Sequence, residues 1–189
     1  MRINDQPVPM PPHPAATVVL LRDAANGMEV FMVKRHGLSD VLGGAYVFPG
    51  GKVDPGDTDP QVLEELAVPL HDLRGALGEP ELDTATAAGL YVAACRETFE
   101  EAGVLLAEGA TAQHVEIAQT RAREAIPFGE ILAGLELRLD LSNIVPWSRW
   151  ITPRVPTMLN KRFDARFFLA AVPNDQKAQH DDHEATGSF

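Results

Sequence analysis

The stretch from Thr84 to Gly103, T-A-T-A-A-G-L-Y-V-A-A-C-R-E-T-F-E-E-A-G, leaves the chain little freedom. Its first half is almost wholly apolar, so a helix built from it has no solvent face and belongs inside the fold. Asp83 and Thr84 are both suitable N-caps, and Gly103 suits the left-handed residue that ends a helix. The expected helix therefore runs from just after Asp83 or Thr84 through Glu101. Its far end carries Glu97, Glu100 and Glu101, and at about 100° per residue these fall within an arc of roughly 100°. Glu97 and Glu101 form an i,i+4 like-charge pair, which is destabilising. Arg96 stands i,i+4 from Glu100 and can orient its carboxylate, while Phe99 is free to pack elsewhere. A solvated face would account for the cluster. So would a hard divalent cation, Mg²⁺ or Mn²⁺, which takes carboxylate oxygens and is typically shared with substrate phosphates. On these residues alone the two readings are evenly matched.

The remaining pattern alternates strands, loops and helices. Residues 1–15 read as a Pro-rich, extended arm. T-V-V-L-L-R-D and V-F-M-V-K-R are strand-like runs, and Asn26-Gly27 between them predicts a hairpin or meander over 17–35. Residues 36–57 are glycine-rich with a short strand-like core, A-Y-V-F-P, and such loops let backbone approach a ligand closely. Residues 61–77 read as helical with a break at Pro69, and 111–137 as one or two amphipathic helices broken near Pro127. V-L-L-A-E after Gly103, W-S-R-W-I-T-P and R-F-D-A-R-F-F-L-A-A-V-P complete the expected strands. In these, Trp147, Trp150, Phe167 and Phe168 alternate like core positions, although one tryptophan could instead stack on an adenine. Residues 173–189 read as a polar, mobile tail.

A chain of 189 residues suits one compact domain, and its net charge of −11 argues against a basic face for nucleic acid. An anionic substrate would need a metal ion or a few placed cations. Cys95 is the single cysteine, so no internal disulfide can form. It is better read as a small core residue than as a nucleophile. With no apolar run of signal-peptide or membrane-spanning length, the expected location is cytoplasmic. The tract His180-Asp-Asp-His183-Glu resembles a metal tract but, in a polar tail, is better read as solvated.

Together these residues resemble the Nudix hydrolase family, whose signature is G-x5-E-x7-R-E-U-x-E-E-x-G-U, U being a bulky aliphatic residue. The second half is present as Arg96-Glu97-Thr98-Phe99-Glu100-Glu101-Ala102-Gly103-Val104, with Thr98 in an aliphatic place. The first half lies in F-P-G-G-K-V-D-P-G-D. With Gly51 as the first glycine, Asp57 takes the first glutamate position. Signature spacing would put the arginine at position 65, whereas it stands at 96, so residues 59–89 read as an insertion within the box. With V-K-R-H-G-L-S-D-V-L-G-G-A-Y and the two later strand segments, the chain is similar to an interrupted-box subgroup that includes coenzyme A diphosphatases.

The resemblance implies an α/β fold, a Nudix-type α/β/α sandwich with a mixed central sheet, a helical insertion and a single domain over 16–172. It implies Mg²⁺ or Mn²⁺ held by Glu97, Glu100 and Glu101, with a backbone carbonyl near Gly51 as a further ligand. Glu97 or Glu100, or a metal-bound hydroxide, would activate water, and Arg96 would orient the cluster. Gly50, Lys34, Arg35 and Lys52 would meet the substrate, although the cations are equally well read as solubilising charges at strand ends. The implied reaction is cleavage of a nucleoside diphosphate linked to another moiety, with coenzyme A or acyl-CoA leading. ADP-ribose, NADH and a non-catalytic nucleotide-binding module are the alternatives. Nudix folds usually end in a strand and a helix, and this subgroup continues beyond a segment like H-D-D-H-E-A-T. The closing helix is therefore expected to be missing, replaced by the insertion, or supplied by a second copy in a homodimer. The ending G-S-F is no peroxisomal signal.

Overall fold

Asp83 starts the central helix as expected: its carboxylate accepts the Thr86 N–H at 2.8 Å, and the helix ends at left-handed Gly103. The computed structural model describes residues 7–35, 44–64, 66, 68–155 and 161–179, and the backbone of 185–188. The glycine-rich run 36–43 and the tract His180 to Glu184 lie outside the described residues.

The chain runs β1 (His13–Ala24), β2 (Gly27–Phe31), β3 (Val33–Arg35), β4 (Tyr46–Val47) and β5 (Gly50–Lys52). A 3₁₀ turn (Pro55–Thr58) leads to α1 (Pro60–Glu64), α2 (Leu70–Leu77) and the central helix α3 (Thr84–Ala102). Then come α4 (Ala112–Arg123), α5 (Phe128–Gly134), β6 (Ile144–Ile151), β7 (Phe163–Ala171) and β8 (Ala185–Ser188). The main sheet has the order β2-β1-β7-β6, with β5 also paired to β1. β1 and β7 are parallel and the other pairs antiparallel, so the mixed sheet of the expected α/β fold is present. A second, smaller sheet has the order β4-β3-β8.

Apolar character places these elements. α3 is buried along nearly its whole length and packs on the sheet, the Tyr91 and Phe168 rings meeting at 4.9 Å. The hairpin expected at Asn26-Gly27 forms, Gly27 taking φ 120°. α4 and α5 are divided at Pro127. Each ends in a left-handed non-glycine residue, Ala125 or Glu136. The next residue then bonds back, Ile126 N–H to Arg121 O at 3.1 Å and Leu137 N–H to Leu132 O at 3.0 Å. That is the 6→1 closure of a helix end, with an apolar residue turned toward the core.

Four expectations are corrected. V-L-L-A-E is not a strand: Val104, Leu105 and Leu106 are buried without a ladder, and only Ala107 makes an isolated bridge, to Leu139. Trp147 and Trp150 are not core positions, being 64% and 65% exposed on the edge strand β6, where the register shifts between Pro146 and Ser148. The N-terminal arm is shorter than 1–15, since β1 begins at His13 and Val8 N–H already bonds Arg154 O at 2.9 Å. The described start of the tail is docked: Gln176 bonds both backbone groups of Leu105 at 2.8 and 3.0 Å, and Gln179 N–H bonds Ala102 O at 2.8 Å. Among the described residues, no helix is long and apolar enough to cross a membrane.

The segment between the box halves is fastened to the sheet by charge. Glu79, on the turn between α2 and α3, accepts from Arg166 at 2.9 and 2.6 Å and pairs with Arg149 at 2.8 Å. Asp164 binds Arg149 twice at 2.7 Å and Arg166 at 2.9 Å. Arg166 is buried and Arg149 is not. Glu79→Ala is expected to lower stability by about 2 to 3 kcal/mol, because it strips one partner from a buried guanidinium. The urea midpoint of the purified variant, at unchanged slope, measures it.

Candidate active site

The 3₁₀ turn and β5 carry the first half of the box to the C-terminal end of α3, where Arg96 joins the two. Its Nε and Nη2 donate to the two oxygens of Asp57 at 2.8 and 2.9 Å, a two-point fork. Nη1 donates to Glu97 Oε1 at 2.8 Å and Glu100 Oε2 at 2.9 Å, and Nη2 also reaches the Lys52 carbonyl at 3.1 Å. Burial alone would lower the Arg96 pKa, but Asp57, Glu97 and Glu100 outweigh it, and the guanidinium is held firmly charged. Asp57 is 2% exposed and also accepts the Asp54 N–H at 2.8 Å. The acid in the first glutamate position is thus spent on Arg96 and the turn.

The glycine loop touches the other carboxylates. Gly50 N–H donates to Glu101 Oε2 at 2.9 Å. A Cβ on Gly50 would strike the Ala16 carbonyl oxygen and stand 2.7 Å from Thr17 Cα. A Cβ on Gly51 would collide with Glu97 Oε1 and stand 2.6 Å from its Cδ. Both positions need glycine because backbone and carboxylate approach so closely. Burial, opposed by Arg96 and reinforced by Glu101 and Glu100, pushes the Glu97 carboxyl up to about 7. Thr98, in the aliphatic place of the signature, is fully buried and satisfies its hydroxyl within the helix, donating to Ala94 O at 2.7 Å. Cys95 is buried and its thiol pushed up by burial, the opposite of an activated nucleophile.

A cleft of about 2120 Å³ opens onto this cluster. Gly50, Gly51, Glu97, Glu100 and Glu101 line it together with residues of α1, the end of α4 and α5. Lys52 also lines it, paired with Asp54 at 2.9 Å. Lys34 and Arg35 stand on β3 in the smaller sheet and are not among the lining residues, with Lys34 Nζ 5.7 Å from the centre of the Tyr46 ring. Gln119 and Gln179, not singled out from the sequence, line the cleft beside Gly103. Nothing in a lone glutamine marks it, and their place follows only from the docking of α4 and of residues 173–179.

Among the described residues, no three His, Cys, Asp or Glu side chains are arranged to hold a metal ion unaided. The donor chemistry nevertheless fits a hard cation: Glu97 and Glu100 converge on one guanidinium nitrogen, and Glu101 stands one residue further on the same helix end. Mg²⁺ commonly takes one or two carboxylates and completes its shell with water and substrate phosphate, so the protein side need not be closed.

A buried helix ending in clustered glutamates and cross-tied to a glycine loop on a mixed sheet is the arrangement that the two halves of the Nudix signature imply. A family model described as the NUDT19 Nudix domain matches residues 10–188, and the chain belongs to the Nudix family. It is similar to the acyl-coenzyme A diphosphatase NUDT19 of Xenopus laevis, 26% identical over 196 residues covering 85% of this chain and 51% of that protein. The chain thus spans about half the length of that curated relative. Among solved structures it is similar to a NUDIX hydrolase from Alicyclobacillus acidocaldarius, with a TM-score of 0.67 and 27% identity over 96% of this chain and 79% of that one.

Two outcomes follow from the Arg96 knot. Asp57→Asn is expected to cost about 3 kcal/mol, the lower end for breaking a buried pair, because Arg96 keeps two other carboxylates. Equilibrium urea unfolding measures the loss. Glu97 gives the metal-free protein a pH dependence. Between its ordinary 4.5 and about 7, the folded chain holds a proton that the unfolded chain has lost. This stabilisation is fully present below 4.5 and is lost as pH rises through 7. Urea midpoints measured in EDTA across that window should fall with rising pH, and Glu97→Gln should flatten the trend.

Proposed function

We propose that the chain hydrolyses the pyrophosphate bond of a nucleoside diphosphate linked to another moiety, with coenzyme A or its acyl esters as substrate. The observation that carries this reading is the convergence of Glu97, Glu100 and Glu101 with Gly50 and Gly51 in the lining of one cleft. The similarity to an acyl-coenzyme A diphosphatase supports the substrate class. The net charge of −11 favours a small nucleotide over a nucleic acid. A buried, unreactive Cys95 is compatible with a reducing cytoplasm.

Glu97, Glu100 and Glu101 would hold Mg²⁺ or Mn²⁺. A divalent cation supplies charge neutralisation at the phosphorus and lowers the pKa of water. The chain's own residues do the rest. Arg96 keeps the Glu97 and Glu100 carboxylates in register, and the Gly50 N–H anchors Glu101. Glu97 or Glu100, whichever carboxylate is not committed to the cation, would accept a proton from the attacking water at a carboxylate oxygen. Gly51 leaves room for the Glu97 carboxylate. Lys52, at the cleft wall, is placed to meet a phosphate in exchange for Asp54.

The deciding experiment offers the protein, with Mg²⁺ or Mn²⁺, coenzyme A, acyl-CoA, ADP-ribose, NADH and nucleoside triphosphates, and identifies products by mass. Release of 3′,5′-ADP with 4′-phosphopantetheine, or its acyl form, is expected. Cleavage of ADP-ribose or NADH alone would move the substrate assignment, and binding without turnover would make the chain a nucleotide-binding module. Glu101→Gln should lower kcat at least about 100-fold, on the scale of losing a main electrostatic group. It keeps an acceptor for the Gly50 N–H, so its circular dichroism and Tm should stay near those of the parent. Full activity in that variant would remove Glu101 from the site.

A further inference from the structure

The cleft is larger than a diphosphate requires. Pockets that enclose whole drug-sized ligands measure roughly 300 to 1,000 Å³, and this one is about 2120 Å³. Its lining also combines two chemistries. Carboxylates and glycines form one part. Half-buried Val62, Leu66, Ile126, Phe128 and Leu137 form an apolar wall that packs against the core. Exposed Arg123, Glu130 and Arg138 line the cleft too.

That apolar wall is continuous with the reacting end. Phe128 stacks on Phe99 at 5.8 Å, and Phe99 is the residue just before Glu100. The wall is also fixed rather than incidental. The left-handed helix ends at Ala125 and Glu136 turn Ile126 and Leu137 back on the core, although a non-glycine residue there costs about 1 kcal/mol or more. A Cβ on Gly129 would stand 2.6 Å from Val62 Cγ2, so the glycine lets α5 lie directly against α1.

We propose that the α1–α5 wall is the subsite for the apolar arm of the substrate, the fatty acyl group of a coenzyme A thioester, with Val62 and Ile126 as specificity-determining residues. This rests on the reading of the reaction above, and it adds where the acyl chain lies and which residues choose it. Val62 belongs to α1, between the two halves of the box, so the interrupting segment contributes part of the substrate pocket.

The test compares coenzyme A with octanoyl-CoA. Equilibrium binding is measured by calorimetry with Ca²⁺ in place of Mg²⁺, and turnover with Mg²⁺, for the parent, Val62→Asp and the milder Val62→Ala and Ile126→Ala. The parent should bind octanoyl-CoA on the order of tenfold more tightly than coenzyme A, the effect of burying roughly two methylenes. Val62→Asp should reduce that ratio to about one, and each alanine variant should reduce it about threefold, consistent with partial loss of the same buried area. Equal affinities in the parent, or a ratio that survives in folded variants, would overturn the subsite. Selective binding of octanoyl-CoA without cleavage would overturn the reaction and leave the subsite standing. Failure of both ligands to bind would overturn both.

Discussion

The Arg96 guanidinium is the point on which the site depends. It lies inside the protein among Asp57, Glu97 and Glu100, and it also takes the Lys52 carbonyl. Without it, those acids would repel one another in a poorly solvated place, and the glycine loop would be tied to α3 only through the Gly50 N–H and Glu101. With it, two pieces of chain separated by α1 and α2 meet with atomic register. Planarity matters here, because one fork serves Asp57 on one edge and the glutamates from another nitrogen. Asp57 is the shorter acid in a place where the family signature has glutamate. Its full burial and its bond to the Asp54 N–H are consistent with a 3₁₀ turn drawn close to the arginine.

The residues between the box halves are therefore integrated rather than appended. Their far end is tied by Glu79 to Arg149 and Arg166 on the sheet, and their near end shares a wall with α5. A long interruption of a catalytic motif is tolerated because contacts at both of its ends restore the geometry that contiguous sequence would otherwise supply.

Much of this was legible beforehand, for identifiable reasons. The boundaries of α3 follow from an N-cap and a left-handed glycine, and its burial from the absence of a polar face. The glutamate arc follows from helical geometry, and the meeting of the two half-motifs from the family resemblance. The failures have equally local causes. V-L-L-A-E has the composition of a strand, but a buried irregular segment has the same composition, and its backbone is satisfied by Gln176 and by turns. Trp147 and Trp150 alternate with polar residues as core positions do, yet β6 is an edge strand with a register shift at Pro146, so the pattern does not face the core. The apolar wall of the cleft, built by helices far apart in the chain, has no sequence signal of its own.

The parallel pairing of β1 with β7 bears on how the chain reaches this state. The first strand lies in the interior of the main sheet, yet its partner on one side is the last strand of that sheet. Until β7 has been synthesised, β1 presents an unpaired, strongly apolar edge, and closing so long a loop is entropically slow. The glutamate-bearing helix packs against β1 as well, so its seat is complete only once the sheet has closed. Until that pairing forms, the edge of β1 is a surface open to pairing with another chain, a consequence of the topology rather than of any single residue.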